Sequence, residues 1–356
     1  MILIAAYNLS VFLTIPVGFY LNGFLLKKFQ TNKLYCFGII TQAFIIALLI
    51  FLPETTIIAI IVFGLLYGIA MGMYWANRNL LTLRSTHSDN RIYFSGLETI
   101  LNRISEIIAP IMIGFFITSG SFFSLYTPLI AYKILAIFMI LISLLIGYST
   151  MNMQTPREDN VTLWLHNAPK QWQKFRWYEI YVGFISGIET LLPVLMIFVL
   201  VGEENSLGTI QSISAILSAL VVYEIAKKLK IQQRVLLVLI STSISILGAI
   251  SFSFFYSAIV VFIFFVAIEI ASPILYIALS SLNYDLIDKK ETSAHHYAYI
   301  CDQELYLNGG RVVAMILFLY LIHTYSNTFA LRFMPIAYAM VQLLVFFVAK
   351  TTEKEE

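Results

Sequence analysis

Residues 93–102 read YFSGLETILN, and residues 299–308 read YICDQELYLN. Both fit the pattern Y-x4-E-x3-N, with Tyr93 corresponding to Tyr299, Glu98 to Glu304, Leu101 to Leu307 and Asn102 to Asn308. At the same offset Ile130-Ala131-Tyr132 corresponds to Ile336-Ala337-Tyr338. Upstream, at slightly shorter offsets, Lys27-Lys28 falls on Lys227-Lys228, and Tyr74 and Ala76 fall on Tyr276 and Ala278. The Ile, Leu and Ala matches carry little weight in an apolar chain. The shared glutamate and asparagine carry more, because apolar composition does not generate them. The chain is therefore predicted to consist of two related halves.

The surroundings of those two stretches are apolar. Of 356 residues, 60% are hydrophobic and 12% charged, and the mean hydropathy is +0.85. A soluble domain carries about a quarter charged residues, so this composition predicts an integral membrane protein. A net charge of +2 argues against a nucleic-acid partner. Two cysteines, Cys36 and Cys301, supply neither a disulfide framework nor metal-ligand spacing. His295-His296, near Asp285 and Asp288, reads as a solvated loop, so no metal site and no cofactor are expected. The stretch MILIAAYNLS lacks the basic start and small-residue cleavage site of a signal peptide.

A helix crosses the hydrocarbon core in about 20 apolar residues. Eleven segments qualify, at 5–26, 34–52, 56–82, 93–118, 125–148, 177–201, 206–226, 232–254, 257–282, 299–323 and 328–349. Alternating segments of a membrane β-barrel are not seen. The connecting loops alternate in charge. One set carries Lys27, Lys28 and Lys33, then Arg84 and Arg91, Arg157 to Arg176, Lys227 to Arg234, Lys289 and Lys290, and Lys350. The other set carries Glu54, Glu203 and Glu204 and uncharged loops. The excess of Lys and Arg marks the first set as cytoplasmic. The C-terminus is then cytoplasmic and Met1 lies on the outer side, with the bacterial cytoplasmic membrane as the expected location.

The two halves run the same way through the bilayer, as a parallel repeat about an axis along the membrane normal. Transporters built from such repeats hold their substrate at the repeat interface near mid-bilayer. The second half has six spans and the first has five; the span at 177–201 has no counterpart. The chain thus corresponds to a six-plus-six protein lacking its first helix.

These features resemble the major facilitator superfamily, over everything except that first helix. The connector from Ser149 to Arg176, the basic loop at Lys27-Lys28 and the GEENSLG loop at 202–208 fit the family pattern. The family's loop signature G-x-x-x-D-R-x-G-R-R is matched by Gly18-Phe-Tyr-Leu-Asn22-Gly23-Phe-Leu-Leu-Lys27-Lys28, with Asn22 in place of the acid and the second glycine absent. Ala109-Pro110-Ile-Met-Ile-Gly114 is a degraded form of the G-P-x-x-G-G pattern of family antiporters. The resemblance implies an all-α polytopic fold of eleven transmembrane helices in two pseudo-symmetric parallel halves, five plus six. The halves would be residues 1–148 and 177–350, joined by a cytoplasmic linker at 149–176 and followed by a tail at 351–356. It further implies a monomeric secondary transporter working by alternating access, with spans 56–82, 177–201 and 257–282 lining its cavity.

Ionisable residues inside a span cost at least ~2.5 kcal/mol on insertion scales, so each is a functional candidate. At 1.5 Å per residue, Glu98 lies about 7 Å from the inner end of its span and Glu106 about 20 Å in. Glu189, Glu269 and Arg311 are similarly deep. Glu98, Asn102 and Glu106 repeat at i, i+4, i+8 and share one helix face; Glu304, Asn308 and Arg311 repeat at i, i+4, i+7 and do likewise. Glu106, Glu189, Glu269 and Arg311 are therefore the candidates for substrate binding and proton coupling. Glu98, Asn102, Glu304 and Asn308 are candidates for a cytoplasmic gate, the alternative being helix-end networks of purely structural use. A carboxyl withdrawn from water holds its proton more tightly, which suits Glu106, Glu189 or Glu269 to proton coupling. Arg311 would bind an anionic group of the substrate or hold one of these acids ionised. Gly64, Gly68 and Gly72 predict close helix packing. Trp75, Trp164, Trp172 and Trp177 read as an interfacial aromatic belt, and Pro110, Pro193 and Pro273 as kinks.

The function expected is proton-coupled transport of a small organic solute, amphipathic or zwitterionic, by rocking of the two halves. A non-transporting remnant or sensor of the same fold is the alternative. A membrane-embedded enzyme is a third class, but neither a P-loop nor an H-E-x-x-H motif is present.

Overall fold

A computed structural model describes residues 1–52, 56–153, 155, 161–166, 168–200, 212–221, 223–224, 234–288 and 295–353. Its helices are α1 (Ile2–Leu26), α2 (Thr31–Phe51), α3 (Ile57–Ser85), α4 (Ser88–Phe122), α5 (Pro128–Met151) and α6 (Lys170–Leu200). There follow α7 (Ser212–Val221), α8 (Arg234–Phe254), α9 (Ala258–Asp288), α10 (His296–Thr324) and α11 (Asn327–Glu353). No strand occurs among the described residues. Among the described residues, nine helices are long and apolar enough to cross a membrane. In hydrocarbon only a helix satisfies the backbone of such a segment without a partner strand. The ends are set by local chemistry: Thr56 caps α3 by accepting from the Ala59 amide, and Thr127 caps α5 with Pro128 in the first turn. The span expected at 206–226 is described at 212–221 and 223–224. Residues 201–211, 225–233 and 289–294, which carry several of the charges behind the orientation, lie outside the described residues.

The two halves repeat the same packing. In the first, α2 lies against α3 and α5; in the second, α8 lies against α9 and α11. The halves meet where α1 runs along α10 and where α4 touches α9. α10 also has α6 along its flank. Its counterpart α4 keeps Ile104, Ile108, Ile111 and Phe115 exposed.

Small residues set the tightest seams. A Cβ on Gly64 would meet Tyr7 and Ser10, one on Gly68 would meet Val11 and Thr14, and one on Gly72 would meet Ile15 and Gly18. The glycine ladder therefore lets the backbones of α1 and α3 touch, and the Thr14 hydroxyl crosses the seam to the Leu65 carbonyl at 2.8 Å. In the second half Gly183 faces the Leu307 carbonyl and Gly310 faces the Ile180 carbonyl, which joins α6 to α10 in the same manner.

Gly68→Ala is expected to lower the thermal unfolding temperature of the detergent-solubilised protein, because its methyl group meets the Val11 carbonyl of α1. Gly114→Ala, where an added Cβ meets nothing within 4 Å, is expected to leave it unchanged or raise it, since Ala is favoured over Gly in a helix by about 1 kcal/mol. Equal effects of the two substitutions would contradict the seam.

Candidate functional site

A cavity of about 460 Å3 lies between the halves. Its wall is built by Ile15 of α1, Met71 to Asn79 of α3, and Thr99, Asn102 and Glu106 of α4. Facing them are Tyr178, Glu179, Ser186 and Glu189 of α6, Ser272 to Tyr276 of α9, and Gln303, Glu304, Leu307 and Arg311 of α10. The spans expected to line it at 56–82, 177–201 and 257–282 all do so. Asn102 and Glu106 of the first stripe and Glu304 and Arg311 of the second line this space; Glu98 and Asn308 are not among the lining residues.

The repeated glutamates converge on neighbouring residues of α3. Glu98 forms an ion pair with Arg78. Glu304, from the other half, accepts from the Asn79 side chain at 3.5 Å and from Asn308 Nδ2 at 3.1 Å. Arg78 also reaches across the halves, donating to the Tyr276 hydroxyl at 3.3 Å, and its guanidinium covers the Trp75 ring at 5.0 Å. Arg311 donates to Asn308 Oδ1 at 3.1 Å and to Ser186 Oγ at 3.2 Å, and stands over the Phe12 ring of α1 at 5.4 Å. It interacts electrostatically with Glu304 and Glu179. The second stripe is thus one connected polar network running from Asn79 to Ser186.

Glu189 heads a second network. Its Oε1 accepts from Ser272 Oγ at 2.6 Å and from the Tyr338 hydroxyl at 2.7 Å. Gln342 Nε2 donates to that hydroxyl at 3.2 Å, and Ser245 Oγ lies 3.3 Å from it. A polar path therefore leads from the cavity wall into the packing between α8 and α11. Glu106 and Asn102 line the cavity from exposed positions on α4. Glu269 is not among the cavity-lining residues; its backbone carbonyl accepts from Ser218 Oγ at 2.6 Å. The side chain of Arg103 lies outside the described residues.

Several participants were not singled out from the sequence. Glu179 lies next to the expected boundary of its span, yet it is buried and accepts from Gln303 Nε2 at 3.0 Å. At the end of the bundle that bears Lys27 and Lys28, Asn22 and Asn77 exchange hydrogen bonds of 2.7 and 3.2 Å. Asn22 also donates to the Tyr297 hydroxyl at 3.1 Å, and that hydroxyl donates to the Phe19 carbonyl at 2.7 Å. This neutral cluster joins α1 and α3 to α10 at the place where the family signature carries an acid. The linker packs over it: Leu163 is buried, Gly23 faces Leu163 and Tyr297, and Trp164 stacks on Tyr20 at 4.5 Å. The aromatic belt is only half realised. Trp164 and Trp177 are exposed, whereas Trp75 lines the cavity and Trp172 is buried with its indole N–H donating to Asp302 at 2.7 Å. Arg176 grips the same carboxylate with two bonds of 2.7 Å, fastening the start of α6 to the start of α10.

The sequence pattern of the Major Facilitator Superfamily matches residues 2–297. An uncharacterized protein of Bacillus subtilis, YqgE, is 27% identical over 329 residues, covering 90% of this chain and 74% of the relative. A cis,cis-muconate transport protein of Acinetobacter baylyi is 29% identical over 118 residues, 33% of this chain and 28% of that protein. Among solved structures, the human organic anion transporter MFSD10 superposes with a TM-score of 0.69 at 11% identity, covering 98% of this chain and 82% of that one. The transporter FucP in its outward conformation gives 0.64 at 12% identity, covering 99% and 89%.

Removing the bidentate acceptor should loosen the α6–α10 clasp. Asp302→Asn is expected to cost about 2 kcal/mol in unfolding free energy, the usual scale of hydrogen bonds to charged groups. Arg176→Lys should cost over half as much, since an ammonium lacks the planar fork. Equilibrium or thermal unfolding in detergent measures both, and losses below about 0.5 kcal/mol would contradict the clasp.

Proposed function

The chain belongs to the Major Facilitator Superfamily of transporters, and from that premise we propose that it moves a small organic solute in exchange or symport with protons. Family members move small-molecule solutes across a lipid bilayer and are not enzymes. What supports a more specific reading is one observation: acids from both halves and a half-buried arginine meet around a cavity that lies on the seam between the repeats. A group that must be reached alternately from the two sides belongs on that seam.

On this reading residues 1–148 and 177–350 rock against each other about the linker at 149–176. The Asn22–Asn77–Tyr297 cluster and the linker close the end that carries the basic loops, which is cytoplasmic by the positive-inside rule. Glu98, Asn102, Glu304 and Asn308 act as the inner gate, because Glu304 ties the second half to Asn79 while Glu98 holds Arg78, which reaches across to Tyr276. Glu106 and Glu189 are the proton-coupling candidates within the cavity, and Glu269 is a candidate by its depth alone. Arg311 holds the neighbouring acids in place and offers hydrogen-bond donors to the solute. The cavity's wall sets apolar and aromatic side chains such as Ile15, Trp75 and Leu307 beside many polar and charged ones, which suits an amphipathic or zwitterionic solute. We place the protein in a bacterial cytoplasmic membrane as a monomer.

The test is proton flux in proteoliposomes under an imposed pH gradient, for the unaltered protein and for Glu106→Gln, Glu189→Gln and Glu269→Gln. Glu189→Gln is expected to reduce solute-linked proton movement at least about tenfold, Glu106→Gln to reduce it less, and Glu269→Gln least. Undiminished coupling in all three would overturn the proton-coupled reading.

A further inference from the structure

Arg78 and Arg311 both line the cavity, but they are held differently. Arg78 is in an ion pair with Glu98. The hydrogen bonds of Arg311 go to neutral groups: Nε donates to Ser186 Oγ at 3.2 Å and Nη1 to Asn308 Oδ1 at 3.1 Å, with the Phe12 ring 5.4 Å from the guanidinium. A guanidinium carries five N–H donors in a planar fork. Nη2 of Arg311 has no hydrogen-bond or ion-pair partner among the described residues. Nor is Nη2 one of the fully buried polar atoms that lack a partner, so it opens on the cavity that Arg311 lines.

None of the acids on the described wall fills that fork. Glu304 lies seven residues before Arg311 on α10, and Glu179 lies seven before Ser186 on α6. That is about 10 Å along each helix at 1.5 Å per residue. Both act on Arg311 through space, but Glu304 accepts from Asn79 and Asn308, and Glu179 from Gln303. Glu189, one turn beyond Ser186, accepts from Ser272 and Tyr338. Between the fork and the pair Glu179 and Glu304 the wall is apolar. Val182 precedes Ser186 by one turn, Leu307 precedes Arg311 by one turn, and Ile15 follows Phe12 by one turn on α1. Because α1 runs towards the basic end and α6 and α10 run away from it, all three lie on the same side of the fork.

We infer that the solute is an amphipathic monocarboxylate, whose carboxylate seats on the open edge of Arg311 and whose apolar part lies against Ile15, Val182 and Leu307. The inference rests on the reading of the cavity as the solute site. A carboxylate accepts parallel N–H bonds from a guanidinium, and such charge-assisted pairs are stronger than bonds between neutral groups. Ser186 and Asn308 fix the plane of the fork, which is what a two-oxygen ligand requires. The surrounding apolar side chains lower the local dielectric and strengthen the contact further. The cavity of about 460 Å3 is of the size that takes one such molecule.

The experiment is calorimetric binding to the full chain purified in detergent. The probes are benzoate and phenylacetate as monocarboxylates, benzamide and phenylacetamide as their uncharged isosteres, and tetraphenylphosphonium as a cation. The two carboxylates are expected to bind saturably and to displace each other, and the amides and the cation to displace neither. Arg311→Gln should weaken carboxylate binding at least about tenfold, equivalent to 1.4 kcal/mol. Ser186→Ala, which keeps the guanidinium and removes only its Nε support, should weaken it by a smaller factor without lowering the thermal unfolding temperature. Absence of carboxylate binding, amides that bind as tightly as the acids, or carboxylate binding unchanged in either variant would overturn the inference. Carboxylate binding that depends on Arg311 but is not followed by carboxylate flux in proteoliposomes would instead overturn the transporter reading and leave the carboxylate site standing.

Discussion

A polar group inside hydrocarbon must find its partner within the protein. The rest of the architecture depends on how this chain meets that demand at Arg78 and Asn79. Glu98 comes to Arg78 from within the first half, and Glu304 comes to Asn79 from the second. The two glutamates occupy equivalent places in the repeat, yet they meet different residues of α3, Glu98 from the same half and Glu304 from the other. The pseudo-two-fold arrangement is therefore broken at the point where the halves touch. That asymmetry lets α3 act as the common anchor for both stripes, and Arg78 extends it to α9 through Tyr276.

The glycine seams explain why the anchor can be reached. Gly64, Gly68 and Gly72 bring α3 onto α1, and α1 in turn lies along α10. Each half is thus tied internally by backbone contact, which does not change when water enters the cavity. Across the seam between halves the ties are of another kind. They include the hydrogen bonds of Asn22 to Tyr297, Tyr297 to the Phe19 carbonyl, Asn79 to Glu304 and Arg78 to Tyr276, and the Arg311 guanidinium over Phe12. Rigid halves joined by exchangeable polar contacts are what the proposed rocking motion needs.

Much of this was legible in the sequence, for physical reasons that vary by residue. The helices could be read because a membrane span has a fixed length. The two halves could be read because Glu98 and Glu304 are costly residues that composition does not supply. Glu189 and Arg311 could be placed by depth. Glu269 shows the limit of depth: it lies well inside α9, but α9 is apolar on all sides, so nothing in its pattern reveals which face turns to the cavity. Glu179 was missed for the opposite reason. It lies at the boundary of its expected span, where depth singles out nothing, whereas α6 continues as a helix from Lys170 and buries it against Gln303. Asn22, Asn77 and Tyr297 carry no charge and gave no signal alone, although the replacement of the family acid by Asn22 marked the place. Asp302 was hidden by its nearness to the end of α10. Its role depends on Arg176 and Trp172 in another helix, a pairing that only the fold provides.

The account stands or falls on whether the two ends of the seam move in opposite senses. Spin labels on Phe24 and Leu305, exposed positions near the basic end of α1 and α10, report one end; labels on Leu3 and Tyr320 report the other. Distances from electron–electron double resonance in lipid, compared at roughly pH 8 and roughly pH 5 to load the cavity carboxylates, give the comparison directly. The account predicts that one pair lengthens by several ångströms (on the order of 5 Å or more, as for a helix shift of one turn) while the other shortens. Distances that stay fixed at both ends, or that change together in the same direction, would contradict it.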